Sequence, residues 1–389
     1  MLNIKTDDNE INYKKIRLLL NQNKSFNEIT MEDEVVLRDE ENMLKFDAIV
    51  GNPPYQENIG GQENKSLSKQ LYPSFITLVI KMQPRYLSLI TPSRWFTGNA
   101  QDRSFVTLRN FLRNNNHFSH IVNYLNSSDV FGDVSVPGGV NYFLYHNGYS
   151  GDIIFTEISN KNETVVERPL FEKGLDVVLP MNRMISILHK VTAENFKSME
   201  KIVTGRNPFG IPAIDASLDR ITTTSPDVTH NTMILCAYGE MKYISSDEIK
   251  RNRELSKHWK VFTSKMNGGA GTLLDDKAVA ILGRTFLMRP NSICSNTLIA
   301  VGDFDNRLEA ENLNKYMNTK FFRFMLGIKK IAQVITSNIY SFVPQQNFRS
   351  NSDIDWGKTI TDIDTQLYAK YDLDQDEIDY IESRIKSFE

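Results

Sequence analysis

At 389 residues, 40% of them hydrophobic and 24% charged, the chain is long enough for two domains or one large one with a sizeable core. A formal net charge of −3 excludes a protein coated in positive charge but leaves room for a local nucleic-acid surface. No run of 18 apolar residues occurs, MLNIKTDDNE lacks the features of a signal peptide, and two cysteines and six histidines give no metal-ligand spacing; no membrane span and no metal are expected, and the expected location is cytoplasmic.

In chain order, residues 12–22 have helical spacing, and an irregular acidic stretch at 32–42 leads into a strand at 46–50. That strand ends abruptly in Asn52-Pro53-Pro54-Tyr55, followed by a polar loop at 57–66 long enough to cover a ligand. Leu71, Phe75, Leu78 and Met82 predict a helix, 86–90 a buried strand ended by TPSRW, and Phe105, Leu108 and Leu112 a second helix with Asp102 as N-cap. A strand at 121–125 follows, then VNYFLYHNGYSGDIIF, which reads as a hairpin closing the sheet. The rhythm is that of a parallel sheet covered on both faces, with ligands at the carboxyl ends of its strands, where NPPY and TPSRW fall.

Beyond about residue 155 this rhythm breaks. The expected division is a catalytic domain at 1–155, a linker at 156–195, a mixed α+β domain at 196–350 and a helical tail at 351–389, where Asp374 and Glu377 have capping-box spacing. Lys and Arg gather at 242–265 and 320–330, runs that also suit a merely solvated helix face.

The chemistry of NPPY follows from its residue types. Two prolines fix the backbone and remove two N–H donors, which leaves the carbonyls of Asn52 and Pro53 without a local competitor. The Asn52 side chain adds another acceptor, and the Tyr55 ring is suited to stack on a flat heterocycle. Together they suit an NH2 group on a base, although four residues alone leave open a Pro-Pro turn that only caps a strand.

FDAIVGNPPYQ resembles the catalytic motif of amino-methylating DNA methyltransferases, in the form used by adenine-specific enzymes of type II restriction-modification systems. YLSLITPSRWFTG, YLNSSDVFGDVSVPGGVNYFLY, RNPFG and the closing region from KYMNTKFFRF to IDTQLYAKYDL are similar to the same family. The resemblance implies an α/β fold: a partial Rossmann-like methyltransferase sheet, then a mixed α+β target-recognition domain and the helical tail. It implies a double-stranded DNA substrate, S-adenosylmethionine as methyl donor, and an adenine flipped from the duplex with its amine held by Asn52 and the Pro53 carbonyl. Pro54 stiffens the turn and Tyr55 stacks on one face of the base; Tyr145, or its competitor Phe143, is expected on the other, with core packing an equal reading for both. Arg206, Lys265, Arg284 and Lys330 are the candidate DNA-binding cations of the recognition domain.

One part of the family pattern is missing. Its glycine-rich cofactor turn precedes NPPY, yet the 51 residues before Asn52 contain one glycine, Gly51. The cofactor-binding residues are therefore unassigned, and the strand at 46–50 is expected to be a sheet edge with apolar faces. A partner subunit supplying the cofactor half, a truncated chain and a catalytically silent relative all fit. A glycine-rich NGGAGT at 267–272 lacks the helix and acidic strand of a permuted cofactor site. Two rival functions stay open: a Mg2+-dependent endonuclease, from the PD...ExK spacing of Pro226, Asp227, Glu240 and Lys242, and a DNA-specificity subunit without activity of its own.

Overall fold

The computed structural model describes residues 46–58, 68–98, 100, 102–132, 136, 138–159, 162–193, 195–211, 218, 220–236, 239–265, 273, 277–330 and 336–387. The readings at 12–22 and 32–42, most of the loop at 57–66 and the NGGAGT stretch lie outside them. The chain divides into two compact units, Met1–Asn182 and Arg183–Glu389.

The first unit is built on a six-stranded sheet of order β1-β4-β6-β5-β7-β8, with β1 at Ala48–Gly51, β4 at Tyr86–Pro92, β5 at Phe118–Tyr124, β6 at Val140–His146, β7 at Ile153–Ser159 and β8 at Asn162–Arg168. Two short strands, β2 (Gln56–Asn58) and β3 (Ser68–Gln70), form a separate antiparallel pair. β1 lies parallel to β4 and β5 parallel to β7, while β6 runs antiparallel to both β4 and β5. The segment expected as a hairpin is therefore not one: the turn after His146 is present, but β5 lies between β6 and β7. Nor does the sheet end near residue 155, because β7 continues to Ser159 and β8 occupies part of the expected linker.

Helices α1 (Tyr72–Lys81) and α2 (Ser104–Asn114) pack on one face of this sheet, against Leu87, Leu89, Ile121, Phe143, Tyr145, Ile153 and Phe155. Pro73 suits the first turn of α1, where its missing N–H costs nothing. The buried stripe of α1 is Tyr72, Ile76, Val79 and Ile80, one position from the stripe its spacing predicts, whereas Phe105, Leu108 and Leu112 of α2 are buried as expected. Asp102 accepts the Ser104 N–H at 3.0 Å, but the N-cap is Arg103, in the left-handed region at φ 58°.

The alternate residues of the strands face the other way, and among the described residues no helix covers them. Val50 is 65% exposed, and Tyr142, Ile154 and Val165 are exposed in neighbouring strands. Coverage of both faces is thus not what the described residues provide. Among the described residues β1 is an edge strand of the sheet, the position expected for the strand before NPPY.

The second unit is mixed α+β. It contains a four-stranded sheet of order β14-β10-β11-β9, from β9 (Thr222–Thr223), β10 (Thr232–Leu235), β11 (Met241–Ile244) and β14 (Ser292–Cys294). A three-stranded sheet orders β13 (Thr285–Met288), β12 (Trp259–Ser264) and β15 (Leu298–Phe304). Phe209, Ile234, Phe262 and Ile293 belong to their shared core, and both cysteines are free and buried. The short helix α3 (Ser128–Phe131) belongs to the first unit, and α4 (Asn182–Val191) opens at the division between the two.

The unit closes with α5 (Arg307–Asn318), α6 (Lys320–Lys329), α7 (Ile360–Lys370) and α8 (Gln375–Arg384). Asp364 of α7 accepts the N–H groups of Lys320 and Phe321 at 2.9 Å each, satisfying the start of α6 from outside it. The capping box predicted at Asp374 and Glu377 is present. No helix among the described residues is long and apolar enough to cross a membrane.

Candidate active site

β1 enters the sheet through the carbonyls of Phe46 and Asp47, which accept the N–H groups of Arg85 and Tyr86 at 3.2 and 2.8 Å. Gly51 pairs with Leu89 of β4, so the following residues leave the carboxyl edge of the sheet at the level of Ile90 and Thr91. There Asn52 and Pro54 are exposed, Pro53 is buried and Tyr55 half-buried. The Tyr55 carbonyl accepts Leu71 N–H at 3.0 Å, and the β2–β3 pair begins at the next residue, so the turn is held on both sides. Among the described residues the Pro53 carbonyl accepts no hydrogen bond. A fixed, unoccupied acceptor beside an exposed amide is the arrangement the two prolines predict.

The Tyr55 ring meets Tyr72 edge-on at 6.3 Å. Burial pushes the Tyr55 phenol up; the Asn52 side chain nearby opposes the shift, but without full hydrogen-bond geometry, and the hydroxyl has no partner meeting it. A buried, unpaired hydroxyl is costly.

The loop after β4 is tied down from beneath. Ser93 Oγ donates to Asn123 Oδ1 at 2.6 Å, Asn123 Nδ2 to the Pro180 carbonyl at 3.2 Å, and Asn141 Nδ2 to Ser93 Oγ and the Thr91 carbonyl at 3.2 Å each. Arg109 of α2 donates through Nη1 to the carbonyls of Trp95 and Gly98 at 2.7 and 2.9 Å. Gly98 has to be glycine, since a Cβ there would sit 2.5 Å from the Arg94 carbonyl. Arg109, Asn123 and Asn141 were not singled out by the sequence reading. The available signal was a polar residue at an inward strand position, visible only once the inward face is known.

Tyr145 and Phe143 lie in the core of the first unit. They are 2% and 1% exposed, and both pack edge-on against Phe118 in the core. Their expected place beside a base is corrected by strand alternation: Tyr142 points to the opposite, open face and is 42% exposed. It pairs with Ile90, the residue of β4 at the level of Asn52.

In the second unit Arg206 and Arg284 are exposed and Lys265 half-buried, with the Arg284 guanidinium 5.2 Å from the Phe286 ring. Lys330 is 1% exposed, at the C-cap of α6, and cannot present its ammonium to a phosphate from there. Of the rival nuclease residues, Asp227 already accepts from the Thr229 and His230 N–H groups at 2.8 and 2.6 Å, and Glu240 pairs with Lys242 at 3.6 Å. Among the described residues no group of three or more His, Cys, Asp or Glu is placed to hold a metal ion.

This geometry can be set beside known proteins. Residues 1–131 match the Eco57I restriction-modification methylase family model. An uncharacterized adenine-specific methylase of Mycoplasma pneumoniae is 32% identical over 123 residues, 31% of this chain and 29% of that protein. The type IIG restriction endonuclease BpuSI is similar in structure at 13% identity, covering 83% of this chain and 48% of its own, with a TM-score of 0.36. The type IIL restriction-modification enzyme MmeI, solved in complex with DNA, is similar at 9% identity over 86% of this chain and 56% of its own, with a TM-score of 0.38. The chain thus spans under a third of the curated relative and about half of each of these structures. The matched residues include the NPPY turn and the TPSRW loop, and the resemblance read from FDAIVGNPPYQ to adenine-specific restriction-modification methyltransferases is borne out.

Proposed function

We propose that this chain is the base-gripping part of a site-specific DNA adenine methyltransferase of a restriction-modification system. The observation that carries the proposal is the NPPY turn itself: an exposed Asn52 amide and an unoccupied Pro53 carbonyl, held rigidly at the carboxyl edge of a sheet inside a methylase region. Asn52 Oδ1 and the Pro53 carbonyl accept the two N–H groups of the adenine amine. Those bonds draw the nitrogen lone pair out of conjugation with the ring and fix its direction, so positioning and electrostatics supply the rate. In this reading Tyr55 stacks on one face of the flipped base, and Tyr142, rather than Tyr145 or Phe143, meets the other.

The methyl group in this reading comes from S-adenosylmethionine. The family's glycine-rich turn is not found among the described residues of the first unit, so in this reading the cofactor's seat lies outside them. A strand open at the β1 edge among the described residues leaves a place for that seat to join the sheet, from further residues of this chain or from a partner polypeptide. The second unit is proposed to read the DNA, with Arg206, Lys265 and Arg284 facing phosphates or base edges.

The test is transfer of labelled methyl groups to duplex DNA by the active assembly. Asn52→Ala is expected to lower the rate by about 100-fold, the scale of losing one oriented group at a reacting centre. Tyr142→Ala should cost roughly tenfold, the scale of one base–aromatic stack. Full activity of the Asn52→Ala assembly would show that the turn only closes a strand.

A further inference from the structure

Seven consecutive residues, Thr91 to Thr97, include six that are buried and one that is exposed, Arg94. Their backbone is among the most heavily anchored of the first unit: buried Ser93, Asn123, Asn141 and Arg109 hold it, and the Ser93 N–H donates to the Gly139 carbonyl at 3.0 Å. So many buried polar groups fix a segment that offers a single side chain to solvent.

The space around Arg94 is shaped as well. A Cβ at Gly138 would approach Arg94 Cγ to 3.0 Å, so the absent side chain there leaves room for the arginine stem. Its guanidinium carbon lies 6.0 Å from the Phe105 ring. Phe105 is 5.8 Å from Tyr72, which in turn is 6.3 Å from Tyr55. A continuous row of rings therefore joins Arg94 to the NPPY turn, and both leave the same edge of the sheet after adjacent parallel strands. Among the described residues Arg94 forms no ion pair.

We propose that Arg94 binds a backbone phosphate of the nucleic acid beside the base held at Asn52; this rests on the adenine-site reading of the turn. A guanidinium presents a planar fork of donors that matches phosphate oxygens, and one held on an immobile loop loses little freedom when it binds. The contact positions the strand without reading its sequence. It adds a cation on the methylase region to those proposed for the second unit.

The experiment uses the full chain and a fluorescein-labelled 30-base-pair duplex of mixed sequence, with binding followed by anisotropy over a salt series. Arg94→Gln is expected to weaken binding by about tenfold and to reduce the salt slope by about one phosphate contact, with Arg94→Lys restoring the slope. Asn52→Ala should keep the wild-type slope, so loss of methyl transfer and loss of the phosphate contact are read separately. Thermal melting of Arg94→Gln, expected to match the wild type because the side chain is exposed, separates lost contact from lost fold. The proposal is overturned if Arg94→Gln binds with wild-type affinity and slope, or if the wild-type chain does not bind the duplex. It is equally overturned if calorimetry with S-adenosylmethionine shows that the active assembly loses the cofactor in Arg94→Gln while the salt slope stays unchanged.

Discussion

Lys260 has an unusual environment for an amine. It is fully buried in β12, and its Nζ donates to the carbonyls of Ser256 at 3.0 Å, His258 at 2.7 Å and Arg289 at 3.4 Å. Burial pushes the amine down to about 7, against a smaller opposing pull from Cys294 and Asp303. An unfolded lysine keeps its proton to about pH 10.4, so between there and 7 the unfolded chain binds more protons and stability must rise with pH. The three carbonyls favour the charged form, which limits the rise between pH 7 and 9 to at most about 2 kcal/mol. Urea unfolding at both pH values should show this rise in the wild type and not in Lys260→Met; equal slopes would mean that the amine stays charged inside. A buried lysine in a basic run cannot be distinguished in the sequence from an exposed one, and Lys330 was misplaced for the same reason. NPPY was legible because its chemistry resides in four contiguous residues. The expectation falls on Tyr145 and Phe143, which share one face, because alternation divides a strand into two faces without saying which one is covered.

Helices and caps were the most legible elements, since their signals are local. Asp374 accepts the Glu377 N–H and Glu377 Oε2 accepts the Asp374 N–H, both at 2.9 Å, as the spacing predicts. Glu377 has a second role that no local pattern encodes. Its carboxylate also accepts from Ser186 Oγ at 2.5 Å and Lys190 Nζ at 2.7 Å, fastening α8 to α4. Asp374→Ala should cost about 1 kcal/mol, the value of its cap, because its ion pair with Lys190 at 3.8 Å is solvent-exposed and adds little. Glu377→Ala should cost roughly twice that or more, because a nearly buried charge-assisted contact is lost with it. Chemical denaturation of the two variants measures the difference, and equal losses would show that the α4–α8 link adds no stability. Strand order was less legible for the opposite reason: a chain that reads β5, β6, β7 in sequence places β6 on the far side of β5 in space, and only non-local pairing decides that. The hairpin expectation failed at this point, although each of its strands was found.

For the first unit taken as a whole, the cover of its sheet sets what can pack against it. Six strands at about 4.8 Å spacing present a face some 25 Å across, and a helix is about 10 Å wide, so two or three helices are needed to cover it. Among the described residues α1 and α2 cover one face and none covers the other, where Val50, Tyr142, Ile154 and Val165 are exposed. Such a face, beside a strand that has no neighbour on one side among the described residues, is a place for further residues of this chain or another polypeptide to pack, and a chain that kept both open would tend to associate. The proposed partner carrying the methyl-donor seat would continue the sheet beyond β1 and lay helices on this face. Val50 belongs to both surfaces, yet contributes little to the unit alone because it already faces water. Val50→Asp is accordingly expected to leave the urea midpoint of the chain within about 0.5 kcal/mol of wild type, the usual range for a surface change. In the assembly the same carboxylate would be buried without a partner, so co-purification with the donor-binding polypeptide and methyl transfer should both fall at least tenfold. Undiminished assembly with Val50→Asp would place the partner elsewhere, and a lowered midpoint in the isolated chain would show that the face is already covered by this chain's own residues.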